Sequence, residues 1–241
     1  MSYQPREFWN DRLSRDFDLR GTGETGMSLE YNRACYALRR EVLTGALAAA
    51  KVDPAARRVL DVGCGSGFFT AYYLERGAQV TGLDIAPASI ERLRERHPEA
   101  RFVLSDVSEA ELDERYDLVN AMDVLYHITD ETRWQRAVTN LARAVASGGT
   151  LLLTDTFSEL RAQASHNRMR PLSEYAPLLR AEGVTPISLH PTHVLLNREL
   201  GAARFLNRIP AMLLAADRAL LVLGFGMDPA VSKLLVAKRG R

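Results

Sequence analysis

Two patterns of apolar residues alternate along the chain. One consists of short, nearly continuous apolar runs. The other consists of longer stretches in which apolar side chains recur every three to four residues, most clearly over 131–146. The short runs predict buried strands, and the longer periodicity predicts half-buried helices. Strands separated by helices indicate right-handed crossovers and a parallel sheet. The short apolar runs lie at 58–62, 79–83, 101–104, 116–121 and 150–154.

The flanking segments extend this pattern. The pair Gly148 and Gly149 is expected to end the helix at 131–146 before the next strand begins. With two further strands after residue 183, the sequence predicts an α/β fold built on a doubly wound, seven-stranded, mainly parallel sheet. The additional helices are predicted near 8–17, from about residue 29, at 89–96 and at 172–181, and the additional strands at 184–190 and 231–238.

Composition narrows the class of protein. The chain has 241 residues, 46% of them apolar, with 31 Lys and Arg against 30 Asp and Glu. A net charge of +1 argues against a general nucleic-acid binder, which needs a basic excess to displace counterions. Cys35 and Cys64 have no spacing that suits a structural zinc site or a disulfide framework. We expect a cytoplasmic protein without a signal peptide or a membrane span.

The densest chemical signal is the run 59–68. Here a buried strand leads into three alternate glycines, Gly63, Gly65 and Gly67. Glycines let the backbone turn sharply and approach a ligand closely, and a following helix offers free N–H groups. A dinucleotide fingerprint needs a glycine at position 68, where this chain has Phe68. The loop therefore favours a nucleoside that carries an amino acid over a dinucleotide.

Two acidic residues frame this loop. Asp61 stands two residues before Gly63, where it would repel a pyrophosphate and accept a hydrogen bond from an ammonium group or a water. Asp84 ends the next strand, 21 residues after Gly63, and is placed to bind both hydroxyls of a ribose. A helix cap is the alternative role for Asp84.

These motifs together resemble those of the class I S-adenosylmethionine-dependent methyltransferases. The resemblance covers the glycine loop, 80–85, 105–107 and 116–130. It implies a Rossmann-like methyltransferase fold with S-adenosyl-L-methionine as cofactor and S-adenosyl-L-homocysteine as product. It also implies that Asp84 binds the ribose and that Asp106 contacts the adenine amino group. The cofactor contacts carried over are Asp61, Gly63, Gly65, Gly67, Phe68, Asp84, Ile85, Ser105, Asp106, Val107, Ala121 and Met122.

The loop after the fourth strand holds the candidate general base. His127 can accept a proton at physiological pH, because an unperturbed histidine has a pKa near 6.5. A role in packing or in positioning the substrate is the alternative. Asp123 and Tyr126, in the same loop, are candidate substrate contacts. No acidic cluster is evident beyond Asp123 and Asp130, so we expect no metal.

A basic segment follows the fifth strand, at the same edge of the sheet. Arg168 and Arg170 are expected to form a fork for a carboxylate or phosphate on the acceptor. His166 and Tyr175 are the weaker catalytic candidates beside them. A solvated surface loop is the alternative for the whole segment.

The N-terminal helices are expected to cover the cofactor. In related enzymes a tyrosine on such a segment lies near the sulfonium, whose charge an aromatic face attracts. Tyr31 is the residue that we assign to this role, with Arg33 as a second cofactor contact. Ordinary core packing suffices to explain Trp9 and Tyr36.

We expect one methyltransferase domain over 1–241. Its last two strands are separated by about 40 residues, far more than a hairpin loop needs, so this segment is interpreted as an insertion. The parts are an N-terminal helical lid (1–50), a cofactor-binding core (51–157), a substrate-side loop, helix and strand (158–190), an apolar helical insertion (191–230) and the final strand (231–241).

The leading functional hypothesis is methyl transfer to a small molecule, with a hydroxyl of a bacterial secondary metabolite or sugar as acceptor. C- or N-methylation of an apolar or anionic metabolite stays open, as do an NAD(P)-dependent oxidoreductase and a non-catalytic cofactor-binding module. We expect no nucleic-acid substrate, because residues 120–123 read Asn-Ala-Met-Asp instead of NPPY or DPPY. The apolar insertion predicts a pocket cap or a homodimer contact rather than stable membrane association, because no Lys/Arg-rich face accompanies it.

Overall fold

A seven-stranded sheet forms the centre of the computed structural model, which describes residues 3–159, 163–164, 166–198 and 200–241. The strands are β1 (Arg58–Val62), β2 (Gln79–Asp84), β3 (Arg101–Leu104), β4 (Tyr116–Ala121), β5 (Val145–Asp155), β6 (Val184–Pro191) and β7 (Lys233–Arg239). Their order is β3-β2-β1-β4-β5-β7-β6. The first five strands pair in parallel, and β7 runs antiparallel to both of its neighbours. The predicted doubly wound, mainly parallel sheet is confirmed.

Helices cover both faces and one edge of this sheet. N-cap side chains accept from the backbone N–H groups of three of them: Asp18 from Arg20 in α2, Ser28 from Tyr31 in α3, and Asp130 from Arg133 in α6. Short 3-10 helices lie at Leu125–His127 and Gly201–Arg208, and a small hairpin joins Gln163–Ala164 to Asn167–Arg168. The α-helices are α1 (Pro5–Arg15), α2 (Leu19–Thr22), α3 (Leu29–Ala49), α4 (Phe68–Leu74), α5 (Pro87–Arg96), α6 (Glu131–Ala144), α7 (Leu172–Ala181) and α8 (Pro210–Val222).

The boundary between α6 and β5 differs from the prediction. The helix ends at Ala144, and the strand begins at once, before the glycine pair instead of after it. The pairing of β4 with β5 shifts here, since Tyr116 pairs with Val145 whereas Leu118 pairs with Thr150. Gly148, at a φ of 71°, lies within this irregularity. The glycine pair therefore marks a bulge in a strand and not the end of a helix.

The strands bury side chains on both faces, as expected for a sheet between two helical layers. On one face Leu60 packs in a cluster with Trp134 and Leu141 of α6. On the other face Val59 packs with Leu43 of α3 and with Tyr73 of α4. Helix α3 is thus part of one covering layer, while α1 and α2 extend toward the carboxyl edge of the parallel strands.

The segment between β6 and β7 contains the 3-10 helix 201–208 and α8. Leu213 of α8 packs in one cluster with Tyr31 and Leu38 of α3. The outer side of the segment exposes large apolar residues, of which Val222 is 88% exposed and Leu223 is 72% exposed. A homodimer contact through this surface stays a prediction. No helix in the described part of the chain is long and apolar enough to cross a membrane.

Asp217 joins α8 to the loop after β6. Its fully buried carboxylate accepts hydrogen bonds from the backbone N–H groups of Val194, Leu195 and Leu196, at 3.1, 2.6 and 2.9 Å. An amide has only one acceptor oxygen, so Asp217→Asn leaves at least one of these donors unpaired. We expect the free energy of unfolding to fall by about 1–3 kcal/mol, measured by urea denaturation. Arg218→Gln, next to it on the exposed face of α8, is the control, and an equal loss in both variants would contradict this role.

Candidate functional site

A cavity of about 350 Å³ lies at the carboxyl edge of the parallel strands. It opens between the loops that follow β1, β2, β3 and β4, and α1 covers it. In open α/β sheets this edge is where ligands bind. The predicted site residues that line the cavity are Gly63, Gly65, Phe68, Asp84, Ile85, Ser105, Asp106, Val107, Met122, Asp123 and His127.

The glycine loop needs glycine for two reasons. Gly63 and Gly65 have φ values of 66° and 52°, in the left-handed region that side chains disfavour. A Cβ at Gly63 would also lie 2.4 Å from Cγ2 of Val124, and one at Gly65 would lie 2.6 Å from Cγ2 of Thr22. The loop backbone therefore lines the cavity and is closely packed against the neighbouring side chains of Val124 and Thr22. Gly67 does not line the cavity but stands at the N-cap of α4.

Asp84 holds this loop in place. One carboxylate oxygen accepts from the backbone N–H of Gly65 and the other from that of Ala86, each at 2.8 Å. Burial raises the pKa of the Asp84 carboxyl above its ordinary value. Each oxygen keeps a second lone pair, so the residue can still accept hydrogen bonds from a ligand in the cavity that it lines.

The structure corrects the role of Asp61. This residue is 1% exposed and does not line the cavity. One of its oxygens accepts from the Thr70 hydroxyl at 2.6 Å, and the other accepts from the Asn120 amide at 2.7 Å. Burial raises the pKa of its carboxyl to about 6. Asp61 therefore joins β1, β4 and α4 beneath the glycine loop and has no direct contact with a ligand.

Asp106 also lines the cavity, and it has a partner that the sequence analysis missed. One of its oxygens accepts from the backbone N–H and the hydroxyl of Ser108, at 2.7 and 2.6 Å. The other forms an ion pair with Arg133, which also lines the cavity. Arg133 lies in the first turn of α6, just after the β4 loop. This position was the sequence signal that could have placed it near the cavity.

An ion pair with little solvent exposure adjoins the cavity. The Arg39 Nε lies 2.8 Å from an Asp123 carboxylate oxygen, and both side chains are less than one-fifth exposed. Burial alone lowers the pKa of Arg39, but the charge of Asp123 and the neighbouring phenol and thiol groups raise it above its ordinary value. Asp123 itself has a φ of 58° and is fixed by Thr154, whose hydroxyl accepts from its N–H at 2.6 Å. Arg39 lies 84 positions before Asp123, so no local pattern in the sequence indicates the pair.

His127 presents one ring nitrogen to the cavity. Its Nδ1 lies 3.0 Å from the carbonyl oxygen of His166, and because a carbonyl only accepts, Nδ1 carries the hydrogen in the neutral ring. Nε2 then has the free lone pair. Burial lowers the pKa of the ring from 6.5 to about 4. The ring of Trp9 packs edge-on against it, with centroids 4.8 Å apart, and Trp9 also lines the cavity.

The tyrosine at the cavity is Tyr36, not Tyr31. Tyr31 is 1% exposed and accepts a hydrogen bond from the N–H of Asn197, on the side of α3 that packs against α8. Tyr36 lines the cavity and donates its hydroxyl hydrogen to Thr22 at 2.8 Å. Arg33 is exposed and does not line the cavity. The face of α3 that carries Tyr36 is turned to the site, whereas Tyr31 and Arg33 lie elsewhere on the helix. This corrects the cofactor contacts predicted for Tyr31 and Arg33 and the purely packing role predicted for Tyr36.

The predicted anion fork does not form. Arg170 is fully buried, with its guanidinium 4.3 Å from the ring centroid of Trp134 and 3.0 Å from the carbonyl oxygen of Ile128. Both Arg170 and Arg168 pair with Glu131, at 3.4 and 3.2 Å. One carboxylate thus pairs with both guanidinium groups, and neither arginine lines the cavity.

Four other predicted residues lie outside the cavity lining. Tyr175 is fully buried and donates to Asp155 at 2.7 Å. Ala121 is buried within β4, and half-buried Tyr126 packs on the ring of His127 with centroids 4.4 Å apart. His166 stacks on the ring of His127, with centroids 5.9 Å apart, and so packs against that side chain.

Residues 59–149 match a family model described as a methyltransferase domain. This match covers the glycine loop, Asp84, Asp106 and the β4 loop. It confirms, for these residues, the resemblance inferred from the motifs.

Two curated relatives each match only part of the chain. A malonyl-[acyl-carrier protein] O-methyltransferase of Acetivibrio thermocellus is 34% identical over 129 residues, 49% of this chain and 44% of that protein. A trans-aconitate 2-methyltransferase of Variovorax paradoxus is 35% identical over 127 residues, 52% of this chain and 47% of that protein. The chain thus spans less than half the length of these relatives.

The fold is shared over a longer stretch. The crystal structure of magnesium protoporphyrin IX methyltransferase from Synechocystis with bound S-adenosylhomocysteine superposes with a TM-score of 0.65. The alignment covers 98% of each chain at 17% identity. At that identity the likeness concerns the fold alone.

Proposed function

We propose that this chain, whose residues 59–149 match a methyltransferase-domain model, is a class I methyltransferase that transfers the methyl group of S-adenosylmethionine to a hydroxyl of a small-molecule acceptor. One observation carries the proposal. The glycine loop held by Asp84 and the free Nε2 of His127 face the same cavity. A cofactor site and an acceptor for a proton are thereby brought together.

The residues of the cavity fit this cofactor. The exposed backbone of Gly63 and Gly65 suits the amino-acid part, and the remaining lone pairs of Asp84 suit the ribose hydroxyls. Ile85 and Val107 offer apolar surface to the adenine ring. When bound, the cofactor supplies an electrophilic methyl group on a sulfonium centre.

His127 is the group that removes the acceptor proton. A hydroxyl that becomes an ether must lose its hydrogen, and Nε2 accepts it while Nδ1 stays bonded to the His166 carbonyl. A low pKa is compatible with this role, because the hydroxyl becomes a far stronger acid as its oxygen gains a bond to carbon. The lowered pKa also keeps Nε2 unprotonated in mildly acidic solution.

The arrangement favours O-methylation over two alternatives. A neutral amine attacks the methyl group through its own lone pair and needs no base for that step, whereas a hydroxyl acceptor gives His127 a proton to remove. An NAD(P)-dependent oxidoreductase is disfavoured because Phe68 begins α4 and lines the cavity where a dinucleotide fingerprint has glycine.

Titration calorimetry with S-adenosylmethionine, S-adenosylhomocysteine and NAD tests the proposed cofactor. We expect both methionine derivatives to bind with 1:1 stoichiometry and NAD to give no saturable heat. Binding of NAD alone would overturn the proposal. Formation of S-adenosylhomocysteine with a panel of hydroxylated small molecules then tests catalysis.

The titration of His127 is expected to be displaced to acid pH. Burial disfavours the charged ring, so the NMR midpoint of His127 should lie near 4 and not near 6.5. With five histidines in the chain, His127→Gln assigns the resonance by its disappearance. A midpoint above about 6 would contradict the buried, carbonyl-bonded ring that the base role requires.

The same variant separates catalysis from binding. Because His127 is not needed to hold the cofactor, His127→Gln should lower turnover by about 10²-fold or more while S-adenosylhomocysteine affinity changes little. Unchanged turnover would remove His127 as the base.

A further inference from the structure

The charges that face the cavity are almost all negative. Of the described residues, those that line it and carry a formal charge at neutral pH are Asp84, Asp106, Asp123, Asp130 and Arg133. The one guanidinium in this set is already paired with Asp106. No cation of the lining is therefore available to hold an anionic acceptor.

The described arginines in the next layer, Arg39, Arg12 and Arg170, do not line the cavity. Arg39 is paired with Asp123, and Arg12 donates to the carbonyl oxygens of Gly23 and Arg20, at 2.6 and 3.2 Å. Arg170 points away from the cavity toward Glu131 and Trp134. A carboxylate or phosphate on the acceptor would lose its water in this cavity without gaining a cationic partner, which costs free energy.

Aromatic rings supply the complementary surface. Trp9 and His127 pack edge to face at 4.8 Å, and Tyr36 and Phe68 do so at 4.9 Å. All four residues line the cavity. Offset and edge-to-face contacts with such rings favour a flat aromatic ligand. A protonated amine has no lone pair to methylate, so such an acceptor would first have to give up its proton.

We propose that the acceptor is an uncharged aromatic compound with a hydroxyl group, bound beside Trp9 and His127 and discriminated from its carboxylated analogues by the lack of a free cation. This inference rests on the proposed function, because it assigns the acceptor class of the same cavity. It narrows the hydroxyl of a secondary metabolite or sugar that the sequence favours to an aromatic hydroxyl.

Matched pairs of ligands test the charge preference directly. The probes are methyl 4-hydroxybenzoate against 4-hydroxybenzoate, and 5-hydroxyindole against 5-hydroxyindole-2-carboxylate, titrated into protein saturated with S-adenosylhomocysteine. The readout is tryptophan fluorescence, because Trp9 lines the cavity whereas Trp134 is 1% exposed in the core. Trp9→Phe serves as the control that should lose the saturable signal.

We expect the uncharged member of each pair to bind about tenfold or more tightly than its carboxylate at pH 7.5. Equal or tighter binding of the carboxylates would overturn the inference, as would the absence of saturable binding by all four probes. Calorimetry distinguishes failure of the proposed function from failure of this inference. If the proposed function fails, S-adenosylhomocysteine itself does not bind, whatever the probes do.

A variant that frees a cation provides a second test. Asp123→Asn removes the partner of Arg39 and leaves a guanidinium beside the cavity. The preference in each pair should then shift toward the carboxylate by about tenfold or more. Should this variant fail to fold, the wild-type comparison alone decides the proposal.

Discussion

Replacing Arg39 with Met should lower the free energy of unfolding by about 3–5 kcal/mol, because it leaves the Asp123 carboxylate buried without its partner. Met is close to Arg in length and can fill part of the same space. The loss is therefore assigned to charge and not to packing. Urea denaturation at neutral pH provides the measurement.

The double variant Arg39→Met/Asp123→Asn is the matched control. It removes both charges, so it should recover part of the stability that Arg39→Met loses. Arg40→Met tests a neighbouring arginine that is exposed, and it should have an effect of less than about 0.5 kcal/mol. A similar loss in Arg39→Met and Arg40→Met would show that the buried pair does not stabilise the fold.

Asp84→Ala should weaken S-adenosylhomocysteine binding by about 100-fold or more. The substitution removes the acceptor proposed for the ribose. It also releases the backbone N–H of Gly65, and with it the shape of the loop that faces the cavity. Titration calorimetry on the folded variant measures the affinity, and circular dichroism checks that the fold is intact.

Asp61→Asn is the control for a buried acid that does not line the cavity. Its amide group would face the Asn120 amide and the Thr70 hydroxyl, so we expect a loss of stability of about 1–3 kcal/mol. Its affinity for S-adenosylhomocysteine should change by less than about threefold, because only the support beneath the loop is altered. An equal loss of affinity in the two variants would remove the distinction between Asp61 and Asp84.

The strands of the parallel core could be predicted because each one is a short apolar run bounded by polar residues. Four of the five core strands, β1 to β4, agree with the prediction to within one residue at either end. The exception is β5, where the glycine pair has the same local signature as a helix end. Only the pairing of β5 with β4 shows that the glycine pair forms a bulge within the strand.

The orientation of α3 could not be predicted from its composition. Tyr31 and Tyr36 differ by roughly 140° around a helix, so they cannot face the same partner. Both faces of this helix are buried, one against the cavity and α2 and the other against α8. An apolar stripe alone does not say which of two buried faces is turned toward a ligand.

Ion pairs were the hardest part of the site to predict. Arg168 and Arg170 looked available in the sequence, but both pair with Glu131, and Arg170 also donates to a backbone carbonyl. Arg39 carries no local signal in the sequence, yet it pairs with Asp123 beside the cavity. Partners of this kind are brought together by tertiary packing over long separations, for which single sequences carry no signal.

The antiparallel strand β7 also constrains the order in which the fold is completed on the ribosome. Its residues are made after those of β5 and β6, yet it lies between them and pairs with both. Until 233–239 emerge, β6 has no strand to join, and the edge of β5 is open to pairing with other chains. We therefore expect the cofactor half of the nascent chain to acquire structure first, while β6 and α8 dock only after the last strand has been synthesised.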